Sequence, residues 1–130
     1  MNRTILLIED NEQNRYLARF LLEQSGYSVV AAEDGVQGIE LARTVQPAII
    51  LLDIQLPAMD GYAVARALRT IDPLANVPII AVTSYAMAGD RDKALAAGCT
   101  GYIEKPINPD TFVSEIESIR TDSGAAKDRP

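Results

Sequence analysis

The sequence predicts an α/β fold in which a parallel sheet is covered by helices on both faces. Short apolar runs alternate with helical patterns from one end of the chain to the other. The central runs are apolar throughout, as strands buried on both faces are. The stretches between runs carry apolar stripes that a crossover helix would bury on the sheet. At 130 residues the chain has the size of one domain and no room for a second core of similar size.

The elements follow in order. Ile5 to Ile8 is too short for a helix and stops at Glu9-Asp10, so it reads as a buried strand. From Asn11 to Ser25, Leu17, Phe20 and Leu21 recur at helical spacing among Arg15, Arg19 and Glu23, and Gly26 supplies the stop. Val29 to Ala32 is a second strand. Asp34-Gly35 then opens a helix with Val36, Ile39 and Ala42 on one face, closed before Pro47. Ala48 to Leu52 is the third strand, and Gln55 to Gly61 is loop chemistry, in which Asp60-Gly61 predicts a turn with glycine at positive φ. Val64, Leu68 and Ile71 mark a helix that ends near Asp72-Pro73, and Ile79 to Val82 is the fourth strand. An alanine-rich helix from about Ala86 to Ala97 stops at Gly98. Thr100 to Ile103 is the fifth strand, broken by Lys105-Pro106, a candidate cis peptide. The last helix carries Phe112, Val113, Ile116 and Ile119, which sets the domain at residues 1–120. The tail from Thr121 to Pro130 is small and polar, is expected to be disordered, and is far too short for an output domain.

Composition excludes several classes of function. A net charge of -6 without a basic stripe opposes binding to nucleic acid, whose phosphates are held by Lys and Arg clusters. The short apolar stretch Ile5 to Ile8, which meets acids at once, reads as neither a signal peptide nor a membrane span, and the lone Cys99 can form no internal disulfide. A cytoplasmic location follows as the expectation. Histidine is absent, so no histidine can serve as base, metal ligand or phosphoryl carrier, and a carboxylate must do any phosphoryl chemistry.

In an open α/β sheet, ligands sit beyond the carboxyl ends of the strands, which makes the strand exits the residues to read. Those exits hold Glu9 and Asp10 after the first strand, Asp53 after the third, Thr83 after the fourth and Lys105 after the fifth. If the first and third strands are neighbours, their carboxylates crowd and raise each other's pKa unless a cation intervenes. All-oxygen ligation with room for water and phosphate suits Mg2+, held against Asp10 and Asp53. The ion would let a phosphoryl group approach Asp53 as nucleophile, with the Lys105 ammonium and the Thr83 hydroxyl on its peripheral oxygens.

Four motifs carry a resemblance: Ile8-Glu9-Asp10-Asn11, Leu52-Asp53 through Asp60-Gly61, Ala81-Val82-Thr83-Ser84, and Tyr102-Ile103-Glu104-Lys105-Pro106. In this order and spacing the chain resembles the receiver domains of bacterial response regulators over essentially residues 3 to 120. Among single-domain members, the stretches Asp10-Asn11-Glu12 and Ala86 to Asp90 most resemble the regulators of cell division and polarity. The resemblance implies a flavodoxin-like doubly wound sheet of five parallel strands in order 2-1-3-4-5 with five helices. It implies Asp53 as phospho-acceptor, Asp10 as direct Mg2+ ligand, Glu9 acting through water, and Gln55 as a backbone-carbonyl ligand. Thr83 and Lys105 would bind the phosphoryl group, and Tyr102 would be the aromatic switch that follows Thr83. Glutamate at the first acidic position departs from the aspartate of many members and bears on the role of Glu9 alone. The implied partners are a histidine kinase or histidine phosphotransferase and a downstream protein docked on the fourth helix, fifth strand and fifth helix. The domain itself would be a switch that catalyses only its own phosphorylation and dephosphorylation.

Residue by residue, plainer readings stand beside these. Asp10 could cap the first helix, with Gln13 completing a capping box. Asp53 alone fits a strand-end turn, Thr83 fits strand propensity, Lys105 a surface position and Tyr102 an ordinary aromatic contact. Cys99 fits a small buried apolar residue. Gln55 and Tyr85 lie where side chains could gate attacking water. Three rival functions stand beside this one, of which a degenerate receiver that docks without phosphate is opposed by the complete set Asp10, Asp53, Thr83 and Lys105. A flavin mononucleotide carrier needs a hydroxyl- and amide-rich phosphate loop after the first strand, where this chain has Glu9, Asp10 and Glu12. A phosphohydrolase with an aspartate nucleophile wants a second acid two places on, where Gln55 stands.

Overall fold

The computed structural model describes residues 2–56, 59–84 and 89–128, with side chains through residue 121. Pro57, Ala58, Tyr85, Ala86, Met87 and Ala88 lie outside the described residues, so the gating position of Tyr85 and the expected start of the alanine-rich helix fall there.

Strands and helices alternate: β1 (Thr4–Ile8), α1 (Glu12–Gln24), β2 (Ser28–Ala32), α2 (Gly35–Val45), β3 (Ile49–Asp53), α3 (Gly61–Arg69), a 3-10 turn (Asp72–Leu74), β4 (Ile79–Thr83), α4 (Asp90–Ala96), β5 (Gly101–Glu104) and α5 (Phe112–Asp128). The five strands form one parallel sheet in order β2-β1-β3-β4-β5. This is the doubly wound architecture that the alternation and the resemblance predict.

Successive strand residues point to opposite faces and build two cores. Ile5, Leu7, Val29, Ile49, Leu51, Ile80 and Ile103 pack with Ala18 and Leu22 of α1 and with Phe112 and Ile116 of α5. Leu6, Ile8, Ile50, Leu52, Ile79 and Ala81 pack with Ala42 of α2, Val64 and Leu68 of α3, and Ala94 of α4. The chain therefore winds away from β1 in both directions. After β1 it crosses by α1 on one face to β2, then returns by α2 on the other face to β3. The connections that leave the carboxyl ends of the neighbouring strands β1 and β3 run to opposite faces, α1 to one and α3 to the other, which opens a crevice there.

Several details differ from the sequence reading. In α1 the buried stripe is Ala18 and Leu22, while Phe20 is 46% exposed; in α2 it is Gly35, Gly38 and Ala42, while Val36 is 60% exposed. Close packing selects the small residues there: a Cβ on Gly38 would meet the Ile8 side chain at 2.5 Å. Gly26 and Gly98 close α1 and α4 at positive φ, as expected of helix stops. Gly61 has no positive φ, and its lack of a side chain serves close approach instead, described below. The helical backbone of α5 runs from Phe112 to Asp128. No proline interrupts it before Pro130, and extending a formed helix costs far less than nucleating one. Cys99 is buried as expected, and burial pushes its thiol up to about 11. Among the described residues no helix is long and apolar enough to cross a membrane.

Candidate functional site

Register brings the acids together. β1 and β3 pair in parallel with Ile8 opposite Leu52, so the next residues along, Glu9 and Asp53, leave the sheet side by side. β4 lies on the other flank of β3 with Val82 opposite Asp53, and β5 pairs Glu104 with Thr83. The Lys105 N–H donates to the Thr83 carbonyl at 2.8 Å, which sets the lysine at the rim of the same crevice. Its peptide bond to Pro106 is cis.

Among the described residues the buried polar side chains are Glu9, Asp53 and Thr83, at 3%, 2% and 3% exposure. A globular core rarely keeps such groups, and here all of them stand at one end of three central strands. Lys105 Nζ lies 3.1 Å from Asp53 Oδ2 and 3.1 Å from Glu9 Oε1, bridging two carboxylates. Asp53 Oδ1 accepts from the Gln55 N–H at 2.9 Å, and Glu9 Oε2 accepts from the Asn11 N–H at 3.2 Å. Asp10 is exposed at the mouth, and carboxylate oxygens of Glu9, Asp10 and Asp53 lie within 4.8 Å of one another.

One lysine does not neutralise three acids. Burial first, then the neighbouring Asp53, push the Glu9 carboxyl from 4.5 up to about 7. For Lys105, burial works against the charge, but Asp53 and Glu9 outweigh it and its pKa is raised. The ammonium is therefore held charged where it can meet a further anion, and the acids retain an unmet demand for positive charge. Clustered carboxylate oxygens, one of them open to water, fit a small hard dication such as Mg2+.

Two local features free and fix these groups. Asn11, not Asp10, caps α1: its side chain accepts from the Asn14 N–H at 2.9 Å. The capping box expected of Asp10 and Gln13 is thus absent, and among the described residues no hydrogen bond or ion pair engages the Asp10 carboxylate. Gly61, the first residue of α3, packs against the end of β3. A Cβ there would meet Ile54 Cα at 2.4 Å, Ile54 O at 2.7 Å and Asp53 O at 2.9 Å. Only glycine lets α3 start this close to Asp53.

Sequence reasoning passed over one group at the site, Arg15. Arg15 Nη1 donates to the carbonyls of Glu9 and Asp10 at 3.0 and 3.3 Å, and the signal available was a cation in a helix's first turn, where the macrodipole disfavours it. The Gln55 side-chain oxygen accepts from the Ser84 N–H at 3.3 Å and ties the loop after β3 to the end of β4. An amide so engaged offers no general acid, which counts against the phosphohydrolase reading. Tyr102 on β5 is half-buried against the α2–α4 side of the sheet.

Residues 5–117 match the family model described as response regulator receiver domain. The chain belongs to the response regulator receiver family. It is 41% identical to the polar-differentiation response regulator DivK of Brucella anthropi over 123 residues, spanning 95% of this chain and 100% of that protein. The DivK of Brucella ovis is 40% identical over the same share. The receiver also superposes on the Vibrio cholerae chemotaxis protein CheY4 with a TM-score of 0.88 at 25% identity, covering 92% of this chain and 99% of that one. The receiver domain of the sensor histidine kinase PA1611 from Pseudomonas aeruginosa, solved with a magnesium ion coordinated in its active-site cleft, matches with a TM-score of 0.81 at 35% identity, covering 94% and 97% of the two chains. Receivers of response regulators are signalling switches, and phosphoryl acceptance is the function of the family. The flavin-carrier reading is thereby set aside.

Proposed function

We propose that this receiver takes a phosphoryl group on Asp53 from a phosphohistidine of a histidine kinase or histidine phosphotransferase, in a Mg2+-dependent reaction. The observation that carries this is the convergence of Glu9, Asp10 and Asp53 within 4.8 Å, with Lys105 Nζ 3.1 Å from Asp53. Asp10 and Asp53, the Gln55 backbone carbonyl, and Glu9 through water would hold the ion. Bound there, it would offset the repulsion between the acids and an incoming phosphate.

Asp53 supplies the nucleophile: a carboxylate oxygen forms a bond to phosphorus while the bond from phosphorus to the imidazole nitrogen breaks. The electron pair leaves with the imidazole, and the lost bond is replaced by an acyl phosphate. Lys105, already paired with Asp53, turns its ammonium to the transferred oxygens, and the Thr83 hydroxyl binds another. Water later cleaves the acyl phosphate, so the domain acts on itself and not on a pool of substrate.

Movement of Thr83 toward the phosphoryl group would open space for Tyr102 and shift the surface formed by α4, β5 and α5, where a downstream protein docks or from which the phosphoryl group is relayed onward. The half-buried position of Tyr102, on the strand beside Thr83, supports this reading. The packed receiver unit spans residues 1–120 and leaves 121–130 as a polar tail; the family match ends at 117, and among the residues whose side chains are described Ile119 is the last hydrophobic one packed on the core. Nucleic acid and membrane insertion have no part in it, in keeping with the acidic charge, and a cytoplasmic location, where a lone buried thiol stays reduced, belongs with it.

The test is incubation with acetyl phosphate and Mg2+, read by intact mass. Wild type should gain one phosphoryl group and Asp53→Asn none. Equal labelling of the two proteins would overturn the assignment.

A further inference from the structure

Arg15 stands in the first turn of α1, where the helix's own partial positive charge opposes a cation. Its side chain is nonetheless only 18% exposed and folds back over the helix N-terminus. Nη1 reaches the carbonyl oxygens of Glu9 at 3.0 Å and Asp10 at 3.3 Å, and Nη2 meets Glu33 Oε1 at 3.4 Å. Glu33 is 72% exposed, so that ion pair contributes little. The two carbonyls are both reached by Nη1, whose two N–H groups lie fixed in the guanidinium plane.

Those carbonyls flank Asp10 in a segment that has already left the sheet. The last strand-like bond of β1 is made by the Glu9 N–H to the Ala32 carbonyl at 3.0 Å, and the Asn11 N–H turns back to Glu9 Oε2. Between these points the Asp10 side chain has no hydrogen bond or ion pair among the described residues. No side-chain contact anchors the carboxylate, so where it can reach depends on where the main chain holds Asp10, and Arg15 bonds the peptide oxygens on either side of that residue.

We infer that Arg15 is a positioning residue for the divalent-cation site: it clamps the Glu9 and Asp10 carbonyls so that the Asp10 carboxylate is presented beside Asp53. This rests on the reading of Glu9, Asp10 and Asp53 as that site. Lysine carries the same charge on a stem one bond shorter, and its rotating ammonium has no fixed plane, so it keeps the charge without the reach and direction that bring Nη1 to both carbonyls. Charge and position predict opposite outcomes here. As a bare positive charge near an acidic cluster, Arg15 would weaken the binding of a dication, and its loss would tighten it. As a clamp, it strengthens binding, and its loss weakens it.

The experiment titrates Mg2+ calorimetrically into metal-free full chain, comparing wild type, Arg15→Lys and Arg15→Gln. Both variants should bind about tenfold more weakly, the scale seen when groups that orient metal ligands are removed. In the metal-free proteins, exchange of the Asn11 amide hydrogen should speed up in both, a readout independent of any ion. Arg15→Lys binding like wild type, or Arg15→Gln binding more tightly, would overturn the clamp and leave Arg15 as a charge alone. Unchanged Asn11 exchange would overturn it too, and this arm stands on Arg15→Lys should Arg15→Gln fold poorly. A wild type that takes up no Mg2+ overturns the cation site and the clamp with it, and the wild-type titration alone distinguishes that result.

Discussion

Replacing Glu9 with glutamine isolates the electrostatic cost of the acid cluster. The carboxyl is 3% exposed, and burial and then Asp53 push its pKa from 4.5 to about 7. Between those values the folded protein keeps a proton that the unfolded chain has released, so stability falls as pH rises through that window and the contribution is gone above about 7. A pKa unit corresponds to about 1.4 kcal/mol, so the full shift is worth about 3 kcal/mol. Exposed Asp10 at the mouth admits water and ions, and with that screening about 2 kcal/mol is the expected effect. Glutamine does not titrate and can still accept from the Asn11 N–H. Urea denaturation in chelator, followed by far-ultraviolet circular dichroism from about pH 5 to about pH 8, measures the difference. Glu9→Gln should gain about 2 kcal/mol on wild type across that range. A stability difference between the two proteins that does not change with pH would refute the reasoning.

Two further perturbations test how the site is held. Gly61→Ala drives a Cβ to 2.4 Å from Ile54 Cα and 2.9 Å from the Asp53 carbonyl, where only backbone can yield. A loss of about 2 to 3 kcal/mol in chemical denaturation, together with slower labelling by acetyl phosphate, is expected; unchanged stability would show that α3 can back away from β3 freely. Asn11→Ala removes the cap of α1 and should cost about 1 kcal/mol, whereas Asn11→Asp, which keeps an acceptor for the Asn14 N–H, should melt close to wild type.

The chemistry of the site was more legible in the sequence than its mechanical support. Glu9, Asp10, Asp53, Thr83 and Lys105 each follow an apolar run, and the rule that ligands sit at strand exits identifies them without coordinates. The supporting residues act through backbone geometry that no side-chain pattern discloses. Asn11 and Asp10 are both good caps by composition, and only the path of the chain decides that Asn11 takes the role and leaves Asp10 open. Gly61 reads as a turn glycine, but its reason is a neighbouring main chain at van der Waals distance. Arg15 reads as one more solvated charge on a helix face, yet its Nη1 bonds the carbonyls of Glu9 and Asp10.

The sequence by itself determined that strands and helices alternate, which runs are buried, and which acids and lysine end them, because hydrophobic period and strand length are local properties. Alternation alone leaves the order of strands open, and here the resemblance carried it; the physical basis lies in the tertiary structure, where α1 and α2 cross on opposite faces and bring β3 against β1. Tertiary packing likewise chose small residues over Phe20 and Val36 for the buried faces, since the distance between a helix and the sheet decides which side chains fit. The perturbed carboxyl of Glu9 belongs to that level as well: its pKa depends on how near Asp53 and Lys105 come, and that proximity exists only once strands distant in sequence share one sheet.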